Sequence, residues 1–172
     1  MSRLTRETIA VVFDFDDTLA PDCTSSLLAS RGVDVPVFWN ERVQALVDAD
    51  WDPIPAYMYA MVEVSDEGAD IRRDILESWG ASVTLHAGVE TIFSRLRDTV
   101  SAISEQIQLE FYMISSGLGD VLRHVSIADE FKDIWASDFS YDVDGRIRFP
   151  KKIVSFTDKT IIKDISSAEP SE

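Results

Sequence analysis

Apolar residues run unbroken through Ile9-Ala10-Val11-Val12-Phe13 and stop at acid in Asp14-Phe15-Asp16-Asp17. A β-branched run with no room for a helical period predicts a buried strand of a parallel sheet. From Pro21 the pattern turns helical and stays so to about residue 84. A first short helix is expected over 21–31, with Ser25 and Ser26 near its start and Gly32 at its end. Val37, Phe38, Val43, Leu46 and Val47 form one face of a second helix over 37–50. Asp52-Pro53 and Pro55 punctuate, and a further apolar helix follows over 56–64. Ser65, with Glu67 and Asp70 behind it, is a candidate cap for a helix carrying Ile71, Ile75, Leu76 and Trp79 that Gly80 would stop.

From Leu85 strands and helices alternate. After His86-Ala87-Gly88, the residues Val89, Ile92, Phe93, Leu96 and Val100 make one stripe. Leu109 to Ile114 predicts a second buried strand, ending at Ser115-Ser116-Gly117. A helix through Leu118, Val121, Leu122 and Val125 and a strand over 131–136 are expected next. Residues 141–149 alternate around Asp144-Gly145, a strong signal for a tight hairpin. The segment 151–163 is ambiguous, and 166–172 reads as a disordered polar tail. The pattern therefore predicts an α/β fold: a core over 1–20 and 85–165, interrupted by an all-helical cap over 21–84.

The chain has 172 residues, 45% of them hydrophobic, and a formal net charge of -15. These are globular values. The charge argues against nucleic acid or an anionic membrane as partner, since an acidic surface displaces no counterions from either. It also opposes a phosphorylated substrate, which makes a divalent cation more necessary. Cys23 is the single cysteine, so no internal disulfide is expected and a reducing, cytoplasmic compartment fits. The run from Ile9 to Phe13 is too short for a signal peptide, and no stretch is long enough to span a bilayer.

Three carboxylates crowded at the end of a buried strand repel one another unless a cation or a shared proton relieves them. Ligands of open α/β sheets bind at that end. Simpler roles for Asp14, Asp16 and Asp17 are a helix cap or an Asx-turn. A calcium loop fails on spacing, because Leu19 stands where glycine is needed and Ser25 where a bidentate Glu is needed. A phosphoacceptor domain would need a second acid-ended strand before Asp52, and none is there.

Asp14-x-Asp16-x-Thr18 directly after an apolar strand resembles the first motif of the haloacid dehalogenase superfamily. Met113-Ile114-Ser115-Ser116-Gly117 is similar to its second, in which a hydroxyl holds a phosphoryl oxygen. A hydroxyl beside the amides of a Gly-containing turn at a helix start is physically suited to an anion; a plain helix cap is the better reading of Ser-Ser-Gly in isolation, and the first motif upstream reverses that preference. For the third motif, a lysine, Lys159 in Phe156-Thr157-Asp158-Lys159-Thr160 matches best, with Lys151, Lys152 and Lys163 as competitors. With a helical cap after motif one, the ordering looks most like the phosphoserine phosphatase-like branch.

That resemblance implies a Rossmann-like parallel sheet and a magnesium-dependent phosphatase acting on a small phosphate monoester. Asp14 would be the nucleophile, Asp16 the general acid and base, and Thr18 an orienting group. Ser115, Ser116, Gly117 and Lys159 would hold phosphate. Magnesium would lie on the Asp14 carboxylate and the Asp16 backbone carbonyl. The family's fourth motif, an acid-ended strand after the lysine, has no counterpart here. The chain is therefore expected to be the front part of such an enzyme with the edge of its first strand exposed, or an inactive binding protein. Phe38, Trp39, Trp51, Tyr57, Met58 and Tyr59 are candidates for a specificity pocket or for core. His86 and His124 have no expected role.

Overall fold

The computed structural model describes residues 7–155. Lys159, Lys163 and the tail 166–172 lie outside them. Strands β1 (Glu7–Phe13), β2 (Ile107–Leu118), β3 (Asp133–Tyr141) and β4 (Ile147–Lys152) form one sheet in that order. The first three are mutually parallel and β4 is antiparallel to β3. Between β1 and β2 come the helices α1 (Cys23–Ser30), α2 (Val35–Val37), α3 (Gln44–Asp48), α4 (Pro53–Val64), α5 (Arg73–Ser82) and α6 (Val89–Ile103). A four-residue α7 (Gly119–Leu122) follows β2. This is the expected α/β arrangement, with the helical stretch inserted after the first strand.

The β1 strand departs from the expectation of full burial. Glu7 to Ala10 are exposed, Ile9 by 45%, and only Val11 to Phe13 are half-buried. Among the described residues β1 pairs with β2 alone, so it is a sheet edge and its outer half has no cover. Its inner end is anchored by aromatics. Phe13 lies 5.7 Å from Phe93 and 6.1 Å from Phe131, and Phe93 lies 5.1 Å from Phe111, ring centre to ring centre. These edge-on contacts tie β1, β2 and α6 into one core.

Local chemistry explains the helix starts. Asp22 caps α1 by accepting from Ser25 N. Asp52 caps α4, and Pro53 and Pro55 sit inside its first turn, where a missing N–H costs nothing. They open that helix rather than separate it from its neighbour. A π-helical segment, Phe38–Val43, joins α2 to α3, and a second, Ser65–Ala69, extends α4. Ser65 caps no helix, because its hydroxyl pairs with Ile71 N and O.

Three further expectations are corrected. Gly80 does not stop α5, which continues to Ser82. The helix after β2 is one turn rather than a run to Val125, and β3 starts and ends later than 131–136. The hairpin at Asp144-Gly145 is present, its turn held by Asp142 accepting from Asp144 N and Arg146 N. It is stitched to the helical insert: Arg73 N donates to Gly145 O, and Arg146 and Arg148 pair with Asp70 and Asp66.

Gly80 is a packing glycine. A Cβ there would stand 2.2 Å from Val121 O, in the α5–α7 contact. At an open helix position Gly→Ala stabilises by about 0.5–1 kcal/mol. Here Gly80→Ala is expected to reverse that sign and destabilise by about 1–3 kcal/mol, read as the shift in urea midpoint against the parent chain.

Candidate active site at the carboxyl end of the parallel strands

The register of β1 on β2 runs from Glu7 opposite Ile107 to Phe13 opposite Met113. Both chains therefore reach the same sheet edge together, and Asp14 emerges beside the residues leading to Ser115. After Phe15 the chain folds into a tight turn. Phe15 O accepts from the Thr18, Leu19 and Ala20 amides, and Ala20 O accepts from Asp17 N at 2.7 Å. Asp17 takes a left-handed conformation, φ 57, which its short polar side chain tolerates. The turn leaves the Asp16 carbonyl outside these bonds and points its side chain inward.

Asp16 is the best-positioned acid. Its Oδ1 accepts from Cys23 N at 3.0 Å, so it also satisfies a first-turn amide of α1. Burial pushes its pKa above the ordinary carboxylate range. The Cys23 bond opposes this, and the negative charges of Asp22 and Asp14 add to it. The Cys23 thiol, buried beside the same carboxylate, is driven still further from ionisation.

Ser115, Ser116 and Gly117 remain in extended conformation within β2, where the sequence suggests a turn at a helix start. The pairing with β3 is irregular between Ile114 and Leu118, and this irregularity is what turns the segment toward Asp16. A Cβ on Gly117 would lie 2.9 Å from Asp16 Oδ2 and 3.2 Å from Ser115 Oγ. Asp16 Oδ2 and Ser115 Oγ thus both border the space a side chain at 117 would fill, so the residue there must be small. Ser115 Oγ accepts from Gly117 N at 3.0 Å, leaving its own hydrogen to donate. Ser116 Oγ is buried and lacks a partner, an uncommon state for a buried hydroxyl.

A cavity of about 530 Å³ is lined by Asp16, Asp17, Ser116 and Gly117 together with residues of the helical insert, and Asp14, Thr18 and Ser115 are not among its lining residues. Of the aromatic candidates, Trp39 and Tyr57 line it. Phe38 and Met58 are core, and Trp51 packs against Tyr59 at the exposed surface, 5.2 Å between ring centres with the rings tilted by 50°. Tyr57 donates its hydroxyl to Ser116 O at 2.7 Å. That bond, between residues far apart in sequence, carries no signal in the sequence pattern. Asp14 is exposed, accepting from Phe15 N at 2.9 Å, and Thr18 is exposed on the turn.

For a divalent cation, the described residues offer donors of the right kind. Magnesium takes one or two carboxylates plus substrate oxygens and water rather than a full protein cage. The Asp14 carboxylate and the Asp16 carbonyl fit that minimal set. Among the described residues no cluster of three or more His, Cys, Asp or Glu can hold an ion, so further acids would have to come from elsewhere. No helix among them is long and apolar enough to cross a membrane.

No family model matches the sequence, and no curated protein matches it. Solved structures do. A HAD family hydrolase from Salmonella enterica subsp. enterica serovar Typhi superposes with a TM-score of 0.66 at 13% identity, over 92% of this chain and 50% of that one. The present chain thus spans half that hydrolase's length. A phosphoserine phosphohydrolase-like protein from Francisella tularensis subsp. tularensis SCHU S4 gives 0.63 at 13% identity, over 95% and 75%. A phosphoserine phosphatase, solved as a phospho-aspartyl intermediate analogue, gives 0.66 at 14% identity, over 93% and 71%. The chain has the fold of these HAD hydrolases. In that HAD fold, the acids after β1 and the serines ending β2 share one edge of the sheet.

The raised pKa of Asp16 has a stability consequence. The folded state holds that proton more tightly than the unfolded state, whose value is near the ordinary 3.8. Stability from this group is complete below the unfolded pKa and is lost as pH rises through the folded pKa. Asp16→Asn is therefore expected to melt higher than the parent at neutral pH. The difference should shrink as pH falls toward the ordinary carboxylate range, in thermal melts run across that range.

Proposed function

We propose that the chain, or the enzyme whose amino-terminal part it forms, hydrolyses a small phosphate monoester with magnesium through an aspartyl-phosphate. The observation that supports this is that Asp16 Oδ2 and Ser115 Oγ both border the space beside Gly117, 2.9 and 3.2 Å from where a Cβ would stand. A carboxyl of raised pKa suits proton transfer to a leaving oxygen, and a hydroxyl donor near it suits a phosphoryl oxygen.

The Asp14 carboxylate forms a bond to phosphorus as the phosphorus–alcohol bond breaks, and Asp16 gives its proton to the departing oxygen. Asp16 then takes a proton from water, whose oxygen bonds to phosphorus and releases the Asp14 carboxylate. Thr18 orients Asp14. Ser115 donates to a phosphoryl oxygen, Ser116 and Gly117 line the same end, and Lys159 is assigned the remaining charge. Magnesium, when bound on Asp14 and the Asp16 carbonyl, would neutralise phosphoryl charge. We place this reaction in the cytoplasm.

A second reading, an inactive binding protein of the same fold, draws on the absence of a three-acid cluster among the described residues. Phosphate release separates the two. Magnesium-dependent turnover of an alkyl phosphate, abolished by a chelator and restored by excess magnesium, is expected of the enzyme.

Asp16→Asn should lower kcat on an alkyl phosphate by about 10²- to 10⁴-fold. The loss should be smaller on p-nitrophenyl phosphate, whose leaving group departs without a proton. Equal losses on both esters would remove Asp16 from the acid role.

A further inference from the structure

We propose that the cavity selects a phosphate monoester whose alcohol part is an apolar, aromatic group carrying no second anionic charge. This rests on the phosphatase reading of the adjoining site and names the substrate class it serves.

Asp16, Ser116 and Gly117 belong to the cavity lining, and the Ser116 hydroxyl is buried without a partner. Trp39, Val43, Val47, Pro53, Ile54 and Tyr57 form its apolar part, with the uncharged polar Thr24, Asn40 and Gln44 beside them. Both aromatic residues have spent their polar tips elsewhere. Trp39 Nε1 donates to Ser25 Oγ at 2.8 Å, and the Tyr57 hydroxyl donates to Ser116 O. What they present to the cavity is ring surface, two planes 5.8 Å apart and inclined by 51°. The π-helical turn Phe38–Val43 sets Trp39 and Val43 on the cavity side; such turns commonly occur at functional positions.

Charge sharpens the selection. The ionisable lining residues are Asp16, Asp17 and Asp22, and among the described residues no Lys or Arg lines the cavity. A carboxylate on the substrate would meet acids with no cation to pair it, which is discrimination by repulsion. Asp22 accepts from Ser25 N and Oγ and so holds the first turn of α1 beside the cavity. The apolar wall remains as the source of binding.

The test compares phenethyl phosphate with O-phosphoserine and phosphoethanolamine, all alkyl esters, so leaving-group chemistry does not create the preference. In parallel, phenethyl alcohol, which has no phosphate, is titrated while the Trp39 indole N–H signal is followed by NMR. The expected result is a saturable shift of that signal and a kcat/KM for phenethyl phosphate about 10- to 200-fold above the other esters, the range a hydrophobic pocket delivers. Val47→Asp, which places an acid on the apolar wall, should pull that ratio toward unity and abolish the NMR shift. A saturable shift with no ester hydrolysed would keep the cavity proposal and overturn the phosphatase reading. A Trp39 signal indifferent to the alcohol, or a preference for either charged ester, would overturn the cavity proposal itself.

Discussion

The parallel pairing of β1 with β2 is the constraint on which the rest depends. Its register puts Phe13 opposite Met113, so the two chains leave the sheet at one level, and the acids of one fall beside the serines of the other. Neighbouring strands are about 4.8 Å apart, close enough for side chains past their ends to converge on one phosphorus atom. A slip of one residue would send Phe13 to the wrong face and carry Asp14 with it. The lock against that slip is the cluster of Phe13, Phe93, Phe111 and Phe131, whose rings meet edge to face. The alignment of the polar residues is thus fixed by apolar packing one layer below them.

The helical insert acts on the same edge from above. Its first helix gives Asp16 an amide from Cys23, and Tyr57 in α4 ties the insert to the serine segment. Covering Asp16 removes it from water and raises its pKa, and the surfaces that do so are also the wall of the cavity. Acidity at the reacting centre and shape at the binding end are therefore one structural fact. The ion pairs of Asp66 and Asp70 with Arg148 and Arg146 hold the far end of the insert to the hairpin. Being partly exposed, each contributes little alone, and main-chain bonds from Arg73 N to Gly145 O and from Ile147 N to Ile71 O join the same two segments.

Much of this was legible before any coordinates. An apolar run ending in Asp14, a second ending in Ser115, and Asp144-Gly145 between alternating segments each declare a local structure through one dominant force. What failed to show has a common cause. Gly80 looks like a helix stop because propensity is local, whereas its role is to let α5 approach Val121 O. Ser65 looks like a cap because the π-helical continuation that claims it depends on Ile71. The run Ile9 to Phe13 looks buried because its composition is that of a central strand, and composition does not say which neighbours are present. Trp39 and Tyr57 could not be told from Phe38 and Met58, since a helical period records a face and not what that face touches.

The net charge of -15 bears on how such a site can work at all. Asp14, Asp16, Asp17 and Asp22 crowd the approach that a phosphate dianion would have to use, and like charges at short range in a half-buried site repel strongly. Burial of Asp16 disfavours its charged form, and on the proposed reading the proton it takes up would serve the leaving group. On the proposed reading Asp14 is the nucleophile, and a divalent cation held by its carboxylate and the Asp16 carbonyl would offset the charge of an incoming phosphate without a dedicated cage. It also explains how a pocket whose described lining has no basic residue can still receive an anion, provided the remainder of the ligand is apolar.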